Sequence, residues 1–248
     1  MNIKNRVKSA LLQIGSLIYR NSGSKVIYYH DFHDTKPHTS MSTPLELFSR
    51  HADIADSMGY RFVPEISHPS NEIEVTLDDG FRGLYENFDF FLERRIPIRI
   101  FIVSGFIGKE HYLRADEIKE MESTGMLRVG SHSKTHRNLD TLDIKELQTE
   151  LQESKKELED LLGHTVDTLC FPRGRFNDTV LDESIKAGYK KIYSCLPGTY
   201  HEHFRPGLVN RSFVQHATPS EFKAILKGGD LIYRSRYMKM HYRQKSGK

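Results

Sequence analysis

The residues best equipped for chemistry in this chain are Asp78 and Asp79, in Thr76-Leu77-Asp78-Asp79-Gly80, and the histidines of His132-Ser133-Lys134-Thr135-His136. One carboxylate and two imidazoles suffice for a three-ligand divalent metal site that keeps a coordination position for water, and the second carboxylate is then free to act as a base. Each half also has an ordinary explanation. Acids followed by Gly are common turn formers, and a His-x-x-x-His pair among Ser, Lys and Thr can simply be solvated. Together, each half supplies what the other lacks.

Such residues act together only if two distant segments meet, and the pattern of the chain predicts a fold that does this. Strands are expected at Val26 to Tyr29, Ile73 to Leu77, Ile98 to Val103, Leu127 to Ser131, Thr168 to Phe171, Lys190 to Ser194 and Leu208 to Val214, alternating with helical segments. Helix entries are read at Thr43-Pro44-Leu45-Glu46, Asp143-Ile144-Lys145-Glu146 and Thr218-Pro219-Ser220-Glu221, where a capping side chain precedes a Glu that can reach back. Ile144, Leu147, Leu151, Leu158, Leu161 and Leu162 make one apolar stripe, and Gly59, Gly125, Gly163 and Gly188 stand where helices should end. About seven βα units predict an α/β protein, a distorted (β/α) barrel of about seven parallel strands in one domain, residues 25–230. An amphipathic segment, residues 1–24, precedes it and a basic tail, residues 231–248, follows. Asp78, Asp79, His132 and Pro172 all fall just past strand ends, which in a barrel form one rim.

The 248 residues can bury a full core, and the formal charge of +3 is too modest for a general nucleic-acid footprint, so no nucleic-acid partner is expected. No apolar run approaches the ~18 residues that a membrane span needs. Ile3, Val7, Leu11, Ile14 and Ile18 share one helical face behind Lys4, Arg6 and Lys8, which predicts an amphipathic helix packed on the domain or on a membrane surface. After Asp230 the chain carries Arg234, Arg236, Lys239, Arg243, Lys245 and Lys248 without an acid, read as a solvated, partly disordered terminus or one lying on an anionic surface. Cys170 and Cys195 read as core thiols. These features favour a cytoplasmic or membrane-peripheral protein, with export left open.

Thr76-Leu77-Asp78-Asp79-Gly80 resembles the first motif of the polysaccharide deacetylases, the carbohydrate esterase family of chitin, chitooligosaccharide and peptidoglycan deacetylases. His132-Ser133-Lys134-Thr135-His136 resembles its second motif, and Phe171-Pro172-Arg173-Gly174 its third. Asn177-Asp178 and Lys186-Ala187-Gly188-Tyr189 follow in family-like order, and Tyr28-Tyr29-His30-Asp31 resembles an element that precedes the first motif in some members. The resemblance implies one divalent metal, usually zinc, on Asp79, His132 and His136, with Asp78 as the base that deprotonates the attacking water. It also implies oxyanion contacts from the turn of Pro172, Arg173 and Gly174, through the Arg173 N–H, and an acetylated glycan as substrate.

The chain departs from the family pattern in three places. Cys170 stands where many members carry the arginine that orients the base, no Asp-Trp fourth motif is present, and the Leu-x-x-His fifth motif is missing. The proton for the leaving amine therefore needs another donor. His30 is one candidate, placed by its strand on the same rim, although it could equally be a rim histidine bonded to Asp31 or Asp34; His201, His203, His216 or Asp78 itself are others. Arg173 is either an exposed loop arginine or a contact for an anionic sugar or phosphate, and Tyr85, Phe88, Phe90 and Phe91 read as core. The expected function is a metal-dependent hydrolase that removes N-acetyl groups from an amino sugar of a polysaccharide, oligosaccharide or glycolipid. A degenerate, non-catalytic glycan-binding member is the alternative, and a phosphodiesterase is disfavoured by the single metal.

Overall fold

In the computed structural model, which describes residues 3–243, with side chains from residue 5, β-branched and aromatic runs form buried parallel strands as expected. The strands are β1 (Lys25–Tyr29), β2 (Asp31–His33), β3 (Ser42–Pro44), β4 (Arg61–Phe62), β5 (Glu72–Leu77), β6 (Ile98–Ile102), β7 (Leu127–Ser131), β8 (Thr168–Cys170), β9 (Lys191–Tyr193), β10 (Leu208–Val209) and β11 (Ser212–Phe213). β2, β3 and β4, of two or three residues each, are additional to the expected strands. The main sheet runs β10-β9-β8-β7-β6-β5-β1-β11, with β4 beside β5, and its pairings are parallel. β1, β5 and β6 are buried along their whole length, as parallel strands covered on both faces must be.

The last expected strand, Leu208 to Val214, is interrupted, and the interruption makes the barrel. Leu208 and Val209 pair with β9, while Ser212 and Phe213 pair with β1. The two edges of the sheet are thus consecutive in the chain, joined through Asn210 and Arg211, and the sheet curls into a distorted (β/α) barrel within one α/β domain. Val26, Phe101, Cys170, Tyr193 and Val209 fill its interior. Larger apolar clusters lie between the sheet and the surrounding helices and include Phe88 and Phe91, with Tyr85 and Phe90 packed against them.

Two of the three expected caps form. Asp143 accepts the Glu146 N–H at 2.8 Å ahead of helix Ile144–Leu162, and Thr218 and Glu221 make a reciprocal box ahead of helix Pro219–Leu226. Thr43 does not cap. It lies in β3, and its hydroxyl donates to the Gln215 carbonyl, so helix Leu45–Ser57 starts without a side-chain cap. Gly59, Gly125, Gly163 and Gly188 all sit at positive φ, and Gly163 is the left-handed cap of its helix.

The terminal segments differ from expectation. Helix Ile3–Tyr19 packs on residues 219–233 through Leu12, Gly15 and Ser16, and a Cβ at Gly15 would run into the Gly229 carbonyl. The expected amphipathic helix forms, but its apolar face is not the one packed on the domain. Val7, Ile14 and Ile18 are exposed and Leu11 is half-buried, because the small residues allow the closer approach. The expected solvated tail is helical at Arg234–His241 and is pinned at both ends. The Ser212 hydroxyl donates to Asp230 at 2.6 Å, and Tyr242 bridges Phe176. The side chains of Ile3 and Lys4, and all of Lys245 and Lys248, lie outside the described residues. Among the described residues no helix is long and apolar enough to cross a membrane.

Candidate active site

β5 ends at Leu77, and the chain turns at once. Asp79 and Gly80 adopt left-handed backbone at φ 75° and 88°, which separates the two carboxylates: Asp78 turns into the barrel and Asp79 towards the loop after β7. For a non-glycine residue this conformation is strained and persists only where its surroundings enforce it. Ser133, His136 and Arg173 share it, at φ 62°, 60° and 56°. Left-handed backbone thus recurs in all three motif loops.

Asp79, His132 and His136 converge. Asp79 Oδ1 lies 3.5 Å from His132 Nε2 and 3.3 Å from His136 Nε2. Ligand distances of ~2.0–2.1 Å around a tetrahedral ion imply donor separations near ~3.3 Å, so the spacing fits a metal of zinc size. The chemistry of the donors fits too. His132 Nδ1 lies 2.8 Å from the Cys170 carbonyl, where it can only donate, and this leaves Nε2 bare towards Asp79. Burial, reinforced by neighbouring His132, pushes the His136 pKa down to about 4, so its ring is neutral at pH 7. The three residues could therefore hold a divalent ion.

Glu150 secures the second loop, and sequence reading placed it on no functional face. It sits among Leu147, Leu151 and Leu158 on the buried side of helix Ile144–Leu162, where its carboxylate accepts the N–H groups of Lys134 at 3.0 Å and Thr135 at 2.8 Å, and the Thr135 hydroxyl. Beside it Ser154 shares a hydrogen bond with Ser131 at 2.8 Å, while Ile144, expected in the stripe, is exposed. Glu150→Ala should strand two backbone donors in the His132–His136 loop. A destabilisation of about 1–3 kcal/mol is expected, read from the denaturation midpoint, with faster amide exchange at Lys134 and Thr135.

Asp78 is clamped by a residue that sequence reading gave no role. Arg211, fully buried between β10 and β11, binds it in bidentate fashion at 2.7 and 2.8 Å. Its other contacts fix its plane: Nε donates to the Ser194 carbonyl at 2.9 Å, and the guanidinium lies 4.4 Å over the Tyr28 ring. One terminal nitrogen is also 2.9 Å from Cys170 Sγ, and that thiol lies 3.7 Å from Asp78 Oδ2. Burial alone would raise the Asp78 carboxyl, but Arg211 holds it well below the usual carboxylate range. The one available signal was a cation at an inward position of an otherwise apolar strand, in register with Val209 and Phe213.

His30 follows β1, next to the Asp78 backbone, whose N–H donates to the Tyr29 carbonyl at 3.1 Å. Its partner is neither Asp31 nor Asp34. Nδ1 donates to Gln215 Oε1 at 2.6 Å, and the Gln215 amide reaches His216 at 2.9 Å. The His30 ring lies edge-on to Tyr28 and Phe213. His201 and His203 are occupied elsewhere, at the carbonyls of His68 and Leu208. Pro172, Arg173 and Gly174 form a 3-10 turn closed by the Gly174 and Arg175 N–H groups, which leaves the Arg173 N–H unused in its closure. The Arg173 carbonyl accepts from His241 at 3.1 Å, so the C-terminal helix braces this turn.

The family model for polysaccharide deacetylases matches residues 65–192. YxkH of Bacillus subtilis (strain 168), a protein named for the same family, is 25% identical over 178 residues, 67% of this chain and 63% of its own length. A poly-β-1,6-N-acetyl-D-glucosamine N-deacetylase of Staphylococcus aureus (strain MRSA252) is 28% identical over 140 residues, 51% of this chain and 48% of its own. The chain thus spans less than two thirds of the length of these relatives. In fold it is similar to the Streptococcus pyogenes deacetylase PplD in complex with acetate, with a TM-score of 0.73 at 19% identity over 82% of this chain and 98% of that one. IcaB from Ammonifex degensii gives a TM-score of 0.71 at 21% identity over 84% and 98%. The match over more than half of the residues, carrying the Asp78-Asp79 and His132-x-x-x-His136 motifs, places the chain in the polysaccharide deacetylase family.

Proposed function

We propose that this protein is a metal-dependent carbohydrate N-deacetylase, acting on N-acetylated amino sugars of a polysaccharide, oligosaccharide or glycolipid, with zinc on Asp79, His132 and His136. The observation that carries the reading is the convergence of those three donors beside an arginine-clamped Asp78. The name of the Staphylococcus aureus relative supports an N-acetylglucosamine polymer as the substrate class.

A bound divalent metal supplies Lewis acidity, which brings the pKa of a nearby water towards ~7. Asp78 is a weak base, because Arg211 holds it ionised, and its role would be to take the proton of the attacking water. Arg211 also fixes the carboxylate orientation through two parallel bonds. The Arg173 N–H, in the turn with Pro172 and Gly174, faces the developing oxyanion. His30 protonates the leaving amine from Nε2, since Gln215 keeps a proton on Nδ1 and thereby sets the ring's orientation. Gln215 is a positioning residue for that step.

The test couples metal content to acetate release from N-acetylglucosamine oligomers. One equivalent of metal, loss of turnover on chelation and recovery on adding zinc are expected. His132→Ala should lose both metal and turnover. Undiminished acetate release from metal-free protein would sink the reading.

A further inference from the structure

We infer that the outer face of the two terminal helices is a docking surface for an anionic phospholipid bilayer. Six of the eight large hydrophobic side chains that stand exposed among the described residues lie on these helices: Val7, Ile14, Leu17, Ile18 and Tyr19 on Ile3–Tyr19, and Met240 on Arg234–His241. Leu17 and Ile18 are the most exposed, at 68% and 65%. The first helix uses its small residues for packing and presents its large apolar ones outward, the reverse of what holding the fold requires. Val7 and Met240 also flank a cleft of about 430 Å³ that the two helices share, so the two exposed faces are continuous.

Charge selects the occupant. Neither helix contains an acid. Among the described residues Arg6, Arg20, Arg236 and Lys239 pair with no carboxylate, Lys8 reaches Glu221 only at 3.9 Å, and Arg243 reaches Asp140 at 3.7 Å. Apolar side chains flanked by unpaired cations suit the boundary between acyl chains and anionic headgroups. A second copy of the chain would bring like charges together instead. The shared cleft reaches Arg211 and Phe213, so a docked protein would hold its catalytic rim beside the bilayer. That orientation rests on the deacetylase reading, whereas lipid binding itself does not.

Co-sedimentation of the full chain with vesicles tests the inference. Binding is expected to vesicles of phosphatidylglycerol and phosphatidylcholine, to weaken with salt, and to be slight with phosphatidylcholine alone. Leu17→Glu with Ile18→Glu should weaken it at least about tenfold. Arg6→Gln and Lys239→Gln should each weaken it about fivefold. These positions are exposed, so thermal unfolding should be unchanged; Leu17→Ser with Met240→Ser is a milder variant that tests the same face. Absence of binding to the anionic vesicles, full binding by the Glu variant, or a wild-type dimer that the Glu variant dissociates would overturn the proposal.

Discussion

Asp78→Asn is expected to lower turnover by about 10²–10⁴-fold while leaving the metal in place. Asn preserves the shape and can still meet Arg211, but it cannot accept a proton, and the three proposed ligands are untouched. The effect should be equal for amide and activated-ester substrates, because both need the water deprotonated. His30→Gln should separate the two. An N-acetyl amide requires its leaving amine to be protonated and should lose most of its rate, whereas an acetyl ester of a nitrophenol leaves as a stable anion and should be largely spared. Normal amide turnover in Asp78→Asn, or equal losses on both substrates in His30→Gln, would remove the assigned roles.

Arg211→Met should be the most destabilising of these changes, at about 3–5 kcal/mol, because it leaves a buried carboxylate without its counter-charge. In the native protein the Asp78 carboxyl titrates below its unfolded value of ~4. The pair therefore contributes stability above that pH, which is lost as pH falls through the lower, folded value. In Arg211→Met burial is opposed only by the lesser influence of His132 and His30, the carboxyl is expected to rise, and the sign reverses: stability should be greatest in acid and fall as pH rises beyond ~4. The double variant Arg211→Met with Asp78→Asn carries neither charge and should regain most of the loss. Denaturation midpoints against pH measure all three; a wild-type acid dependence in the single variant would mean that Arg211 does not control Asp78.

A carboxylate that must remain ionised inside a barrel needs a cation that is equally buried, and Arg211 supplies one from between β10 and β11. Cys170 stands on β8 at the edge of the same cluster, too short and neutral to supply that charge.

The sequence by itself marked the Asp78-Asp79 pair, the histidine pair and the strands that end beside them. Those features are local: period-two and period-3.6 patterns mark strands and helices, and Asp78-Asp79 and His132-x-x-x-His136 each lie within one loop. What it could not decide is which residues meet across the barrel. Arg211 reaches Asp78 only because Asn210 and Arg211 bridge the two edges of the sheet, and Gln215 reaches His30 by the same closure. Glu150 looked like a polar interruption of an apolar stripe, but its partners are backbone donors of a distant loop. The first helix makes the same point in reverse. Periodicity identified which residues share a face, yet packing turned that face outward, where Gly15 approaches the Gly229 carbonyl too closely for any Cβ. Side-chain periodicity is written along the chain, whereas register, closure and the fit of one surface on another exist only once the chain has folded.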